Sequence, residues 1–551
     1  MCGIFALFGN EDEPYISNAV NIINKRGPDS TVVIKDKIPF SGKLAFTRLS
    51  IVDTSSTGNQ PFMMDGISLM CNGEIYNHES LKKEYDLECT SLSDCECILH
   101  LYKKIGFRAT VDKLDGVFAI CLVDGHKVHL ARDRIGVRPL FIGRNKNGTF
   151  AISSLARTLL DFCDDIYPLR PCKAIYDLSN GDITEIIEEH NLPTEISPKS
   201  NDMLTERASH RDELYSTNRL SNILVMQEQI RTTLIKAVQK RLMADRKICC
   251  MLSGGLDSSL ITSILCRLVG SENVHTYSIG MDDSVDLKYA KVVSDYLGTH
   301  HHEIKFTPQE GLDAIKDVIT DLESYDITTI RASVGMWLLS KYISENSDNI
   351  VILSGEGADE LLCGYLYFHY APSHLEAHEE SMRLVRELHK YDVLRADRCV
   401  SSHGLELRVP FLDKDFVNLI LNIPGKYKVP LSRGIEKEIL RNAFVGYLPD
   451  EVLWRRKDGM SDGISGIKKS WFEHIQDFVD TKISDNEWNQ ITQNNKNKSI
   501  VSKEAYYYKT IYDSIFNHYQ PEYPYWMPKW IKCGGNPSGR ILEVYDEEDN
   551  P

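Results

Sequence analysis

The sequence predicts two domains of different class in one chain: an N-terminal α+β sandwich of sheets with helices outside, then a C-terminal α/β domain on a parallel sheet with added helices. Three observations carry that reading. At 551 residues the chain is too long for one ordinary core. Up to about Gly181 the text is short apolar runs between Gly, Asp and Asn, whereas after Ile223 strands and helices alternate. Two of the later strands end in glycine turns that open helices, and sheets of that kind bind ligands at the carboxyl ends of their strands.

In chain order, Ile4–Phe8, Val117–Val123 and Val128–Ala131 read as buried strands of the first domain. Glu188 to Ser221 is polar and charged and carries Pro193 and Pro198, which marks a connector. The expected boundaries are 1–190 for the first domain, 191–221 for a linker, 222–535 for the second domain and 536–551 for a tail. Helical spacing over Ile223–Met243 leads into a strand at Ile248–Leu252, a helix to about Leu268, a strand at Val274–Ile279, a helix at Leu287–Leu297 and a strand near Glu303. The strand Ile350–Leu353 ends in Ser354-Gly355-Glu356-Gly357-Ala358-Asp359-Glu360, a second glycine turn expected to open a helix. Beyond Ser381 the text is mostly helical, and the acidic end Glu543–Pro551 reads as a frayed tail.

Composition narrows the function classes. An apolar content of 42% suits a globular protein, and a formal charge of −16 argues against a surface for nucleic acid or anionic lipid. Small charged metabolites are the expected partners. The cysteines are scattered, with no CxxC pair, so a reducing, cytoplasmic setting is expected. Cys2–Gly9 is too short for a signal core and runs into Glu11-Asp12-Glu13. No run approaches the roughly 18 apolar residues a membrane helix needs.

The most informative segment is Cys249-Cys250-Met251-Leu252-Ser253-Gly254-Gly255-Leu256-Asp257-Ser258-Ser259. Glycines let backbone N–H groups face inward, and serines at a helix start add donors where the helix dipole favours negative charge. No lysine follows, as it would in a Walker A loop. The loop therefore reads as a grip for a departing pyrophosphate, with Asp257 placed to hold Mg²⁺ against it.

Cys2 is the second chemical feature. Removing Met1 would leave a thiol beside an α-amine, whose pKa of roughly 8 makes it a base near neutrality. In Cys71-Asn72-Gly73-Glu74-Ile75-Tyr76-Asn77, the Asn72 amide beside the Gly73 N–H suits an oxyanion hole for an acyl intermediate. Arg26-Gly27-Pro28-Asp29 and Arg48-Leu49-Ser50-Ile51-Val52-Asp53 add compact charged turns.

These residues resemble the class II glutamine amidotransferases, an Ntn-hydrolase family. With the Ser253–Ser259 loop the chain resembles the glutamine-hydrolysing asparagine synthetases, whose second half is a PP-loop ATP pyrophosphatase domain. The likeness runs from Cys2 to about Leu542. It includes Tyr325–Ser333, Ser354–Glu360, Gly364–His369, Arg408–Asp413 and Tyr525-Trp526-Met527-Pro528-Lys529-Trp530. It implies that Cys2 forms a thioester, with Asn72 and Gly73 holding the oxyanion. Arg48, Leu49, Ile51, Asn72, Glu74 and Asp94 would bind glutamine. A zwitterion does need a fixed cation and a fixed anion, which Arg48 and the two acids supply.

For the second half the resemblance implies that ATP adenylates aspartate and that ammonia displaces AMP. Leu252, Ser253, Gly254, Gly255, Leu256, Asp257, Ser258, Ile279, Ser354 and Gly355 would seat ATP, and Asp257 with Asp359 would bind Mg²⁺. Glu356 would act as a base and Lys457 would oppose phosphate charge. Thr328, Thr329, Arg331, Tyr365, Asp392 and Arg395 would bind aspartate, the last two lying three apart on one helical face. Ammonia would pass through a shielded tunnel near Arg26 and Val409. The reading leaves room for a homodimer.

Some residues depart from the family text: Lys25, Thr47, Ser153–Arg157, Pro171-Cys172-Lys173 and Asp458-Gly459-Met460. The first four leave the expected catalytic atoms untouched, and the last alters the surroundings of Lys457. A relative that adenylates another carboxylate keeps the fold, but Thr328–Arg331 favours aspartate. His300-His301-His302 reads as a turn entering a strand, since neighbours on a strand point to opposite faces and cannot share one zinc. Cys95 and Cys97 lack a second pair and read as non-ligating.

Overall fold

The computed structural model describes residues 1–9, 13–38, 41–179, 184–190, 212–429, 434–456, 463–466, 468–494, 500–517, 519–521 and 525–531. The first domain stacks two antiparallel sheets. Strands β1 (Gly3–Phe8), β2 (Ser30–Ile38), β3 (Gly42–Arg48), β4 (Phe62–Met64), β5 (Ile67–Ile75), β6 (Gly116–Asp124), β7 (Lys127–Arg132), β8 (Phe141–Arg144), β9 (Phe150–Ser153), β10 (Asp165–Pro168), β11 (Cys172–Asp177) and β12 (Thr184–Glu189) divide between them. One sheet runs β10-β8-β9-β1-β3-β2 and the other β12-β11-β7-β6-β5-β4.

The two-residue period of β1 explains the layers. Ile4, Ala6 and Phe8 pack on Met70, Ala119 and Cys121 of the facing sheet, whereas Phe5 and Leu7 join Ile16, Ala19 and Ile23 of the helix Glu13–Ile23. On the far sheet Cys71, Ile120 and Leu122 pack on Ile98, Leu101 and Val111 from the helices Cys97–Ile105 and Phe107–Lys113. Both faces of each central strand are covered, so those strands read as unbroken apolar runs.

The second domain holds the parallel sheet β13 (Lys247–Met251), β14 (His275–Gly280), β15 (His300–Lys305), β16 (Asn349–Leu353) and β17 (Glu406–Arg408), in the order β15-β14-β13-β16-β17. The chain winds outward from β13 and then crosses to β16 on its other side. The switch point thus falls between β13 and β16, and both glycine turns leave these strands at that crevice.

Three expectations need correction. The helix Asp212–Lys240 begins inside the expected linker, because a helix anchored by buried Ile230, Leu234, Ala237 and Val238 extends cheaply into polar sequence. The second glycine turn opens only a single helical turn, Ala358–Leu361. His300–His302 are themselves strand residues. His301 bonds Thr276 and Ser278, while His302 stacks on His275 and Tyr277 across the sheet. The short strand β17 gives no sequence signal, since three residues carry no period.

Buried ion pairs cross the seam between the domains. Asp397 receives Arg26 at 2.9 Å and Arg138 at 3.2 Å. Glu323, paired with Arg398 of its own domain at 2.8 Å, reaches across the seam by accepting the backbone N–H groups of Ala156 and Arg157. Removing one member of such a pair typically costs about 3–5 kcal/mol, whereas the intact pair adds little net stability. Their effect is to fix one docked orientation.

Candidate active sites

Strand β1 delivers Cys2 and β5 delivers Asn72 to one small buried pocket, lined also by Arg48, Leu49, Ile51, Gly73, Glu74, Asp94 and Glu406. The structure thus brings every expected glutamine residue together. The backbone N–H of Cys2 donates to Asn72 Oδ1 at 2.9 Å, and its thiol points at the Leu49 carbonyl, 3.7 Å away. Asn72 is fully buried and its Nδ2 has no hydrogen-bond partner among the described residues. A buried amide donor without a partner costs roughly 1–3 kcal/mol, so it stands ready for an acceptor that arrives with substrate.

The guanidinium of Arg48 is aimed by backbone carbonyls of Val52, Asp53 and Ser55 and by Asn59 Oδ1. The acidic side is crowded. Asp94 accepts the Ile75 N–H at 2.6 Å, and burial pushes its carboxyl up to about 6. Burial, then Glu406 and Asp94, holds the Glu74 carboxyl well above the usual range. Met1 is in place: its α-amine donates to the Leu405 carbonyl at 3.2 Å, and burial lowers it to about 6. Burial likewise raises the Cys2 thiol.

The larger cavity, about 250 Å³, opens at the β13–β16 switch point. Ser253, Gly255, Asp257 and Ser258 line one side, Ser354, Gly355, Glu356 and Asp359 the other, and Leu252, Leu256 and Ile279 give apolar walls. Gly254 shapes the loop from behind: its φ is +74°, and a Cβ there would meet the Ala290 nitrogen at 2.4 Å. The two loops touch, since a Cβ on Gly355 would lie 2.8 Å from the Ser258 nitrogen. The Ser253 and Ser258 hydroxyls lie 3.0 Å apart, at the start of the helix Leu256–Val269.

The aspartate expectations divide. Thr328, Tyr365, Asp392 and Arg395 line the cavity. Arg395 reaches Glu356 at 2.8 Å and Asp392 at 3.0 Å, and the Tyr365 hydroxyl bonds Glu360 and Asp392. Thr329 and Arg331 are turned away. On the helix Ile327–Asn346 the cavity stripe is Thr328, Ala332, Met336 and Leu339, and Arg331 falls off it. Its guanidinium is instead paired with the fully buried Glu504 and lies over Phe472. Lys457 and Asp458-Gly459-Met460 lie outside the described residues.

Sequence reading missed Lys437. It sits in the left-handed region at φ 58°, a conformation that a non-glycine residue adopts at a cost, and its Nζ lies 2.6 Å from both Asp257 Oδ2 and Asp359 Oδ1. No local motif marks it. The missing signal is electrostatic, because two carboxylates facing one cavity need a cation between them. Arg455 adds a second cation, bonded to the Gly254 carbonyl at 3.3 Å. Trp526 and Pro528 also line the cavity, where Trp526 accepts a hydrogen bond from Thr328.

A thiol pocket in a two-sheet domain, packed on a parallel-sheet domain whose glycine loops line a separate cavity, defines a class: an amidotransferase domain joined to a nucleotide-dependent ligase domain. A family model described as a glutamine amidotransferase domain matches residues 1–170, and one described as asparagine synthase matches residues 229–381 and 371–531. The glutamine-hydrolysing asparagine synthetases of Mesocricetus auratus and Rattus norvegicus are each 41% identical over 99% of this chain and 99% of their own length. That of Homo sapiens is 40% identical over the same shares. The chain belongs to the glutamine-hydrolysing asparagine synthetase family.

Proposed function

We propose that the chain makes asparagine from aspartate, ATP and glutamine, with the glutaminase in the first domain and the ligase in the second. The division follows the expected boundaries, 1–190 and 222–535, with the second domain's helix extended back to Asp212. The observation that carries the glutaminase half is the buried, unpartnered Asn72 Nδ2 beside the Cys2 thiol. Cys2, freed of Met1, attacks the side-chain amide of glutamine, its α-amine taking the thiol proton and returning it to departing ammonia, and water then hydrolyses the thioester to release glutamate and the thiol. Asn72 Nδ2 and the Gly73 N–H hold the oxyanion. Arg48 takes the α-carboxylate, and Glu74 with Asp94 takes the α-ammonium.

In the second domain the β-carboxylate of aspartate attacks the α-phosphorus of ATP, forming the acyl–adenylate bond and releasing pyrophosphate to Ser253–Ser258. Ammonia then attacks the acyl carbon and AMP leaves. Glu356 removes the extra proton from nitrogen, and Arg395, its partner, shifts to an aspartate carboxylate. Thr328, Tyr365 and Asp392 complete that pocket. Lys437 and Arg455 oppose the charge that builds on the phosphates, the task expected of Lys457. Asp257 and Asp359 are hard oxygen donors already gathered round a cation, so they suit Mg²⁺, which would neutralise phosphate charge there. Ammonia crosses between the pockets inside the protein near Arg26 and Val409, both 1% exposed. A shielded path is needed because in water it becomes ammonium, which is no nucleophile.

The enzyme works in a reducing, cytoplasmic setting, in keeping with cysteines that are free thiols among the described residues. No helix among the described residues is long and apolar enough to cross a membrane. A homodimer is part of the same reading. The deciding assay supplies aspartate and Mg-ATP with glutamine or ammonia and measures asparagine, AMP and pyrophosphate. No aspartate-dependent pyrophosphate would overturn the ligase reading. Cys2→Ala should abolish glutamine use and spare ammonia use, and loss of both would overturn the division of labour.

A further inference from the structure

We propose that Glu406, contributed by the ligase domain, is a third carboxylate of the glutamine site and receives the substrate's α-ammonium together with Glu74 and Asp94. The proposal rests on the reading of the Cys2 pocket as the glutamine site. Glu406 lines that pocket and is 2% exposed, although it belongs to β17 of the other domain. Its place is set by the parallel sheet, in which Glu406 pairs with Val351, while Val351 packs under Leu49 and Ile51 of the pocket wall.

One guanidinium ties the acids together. Arg408 Nε lies 2.7 Å from Glu406 Oε1, and Arg408 Nη2 lies 3.3 Å from Glu74 Oε2. Arg138 stands farther off, 4.0 Å from Glu406 Oε2, and shares its charge with Asp397 at 3.2 Å. The charged and titratable groups around Glu406 are the Met1 α-amine, Cys2, Glu74, Tyr76, Asp94, Arg138 and Arg408. The three carboxylates Glu74, Asp94 and Glu406 are served by two guanidiniums, Arg408 and the more distant Arg138 that is shared with Asp397, once Met1 and its α-amine are trimmed away. A site short of one cation, beside a pocket that opens on Cys2, is built to accept an ammonium. The high Glu74 carboxyl agrees, since burial beside Glu406 and Asp94 disfavours its negative charge and an ammonium there would offset it. Glutamine recognition then depends on the docked ligase domain, and an isolated first domain lacks part of its pocket.

The test uses full-length protein carrying Cys2→Ala, so that ligand is bound without turnover. Glutamine and glutaramate, the same amide acid without the α-amine, are titrated by calorimetry against this background and against the same chain with Glu406→Gln. Glutamine should bind about tenfold more weakly to the Glu406→Gln protein and glutaramate within about twofold of the background. Equal weakening of both ligands, or no weakening of glutamine, would overturn the proposal. Should Glu406→Gln fail to fold, Glu406→Asp, which keeps the charge at shorter reach, should show a smaller loss for glutamine alone. Undiminished glutamine hydrolysis by Cys2→Ala would instead strike down the underlying site reading, an outcome separate from any effect at Glu406.

Discussion

Lys437 Nζ stands 2.6 Å from Asp257 on one phosphate loop and 2.6 Å from Asp359 on the other, so one ammonium links the two strand ends that flank the crevice. Lys437→Met leaves both carboxylates facing the cavity without that cation. Ammonia-dependent asparagine synthesis should fall by about 10²-fold or more, in line with the loss of other transition-state charge stabilisers. Glutamine hydrolysis, measured as glutamate release, should stay within about twofold. A small effect on synthesis would remove Lys437 from the phosphate chemistry.

Asn72→Ala takes away the unpartnered Nδ2 and the acceptor that holds the Cys2 nitrogen. The rate of glutamate release should drop by about 10²-fold with a smaller change in KM, because the oxyanion forms after binding. Steady-state glutaminase kinetics check this.

The raised carboxyl of Asp94 gives a pH signature. Its folded value of about 6 lies above the ordinary 3.8, so the folded protein binds that proton more tightly than the unfolded chain. This group's contribution to stability is full below about 3.8 and is lost as pH rises through about 6. Glutamine's ammonium needs the charged carboxylate, so glutamine affinity should run the opposite way and weaken as pH falls below about 6. The thermal stabilisation conferred by saturating glutamine, followed from pH 5 to pH 8, should grow with pH. A flat profile would count against Asp94 as a ligand.

Arg331 and Glu504 form a buried pair away from the cavity. Glu504→Gln should destabilise the fold by about 3 kcal/mol in urea unfolding, since the buried Arg331 guanidinium loses the negative charge of Glu504. KM for aspartate should change by less than about threefold at a temperature where the variant is folded. A selective loss of aspartate binding would return Arg331 to the substrate site.

Much of both sites was legible because their chemistry is local. Ser253–Ser259 and Ser354–Glu360 are contiguous loops, and β13 and β16 are neighbours, so two separate phosphate signals converge in one crevice. Cys2 and Asn72 were legible as a nucleophile and an amide donor, whereas Asp94 was named only through the family resemblance, its charge being the sign a zwitterionic amide needs. Lys437 and Glu406 were not legible, because each meets its neighbours across a long sequence separation and neither lies in a patterned segment. Arg331 was misplaced for a rotational reason: adjacent helix positions differ by about 100°, so a motif of consecutive residues cannot all face one cavity. The start of the helix at Asp212 was hidden by polarity, since the apolar spacing that marks a packed face begins only at Ile223.

Met1 donates its α-amine to Leu405, 404 positions further along the chain, and is 1% exposed. An end held in that way is out of an aminopeptidase's reach, and the glutaminase reading requires that Met1 be cut. On that reading trimming comes before the strand carrying Leu405 docks on the first domain, and the intact mass of the purified protein, with or without Met1, checks it.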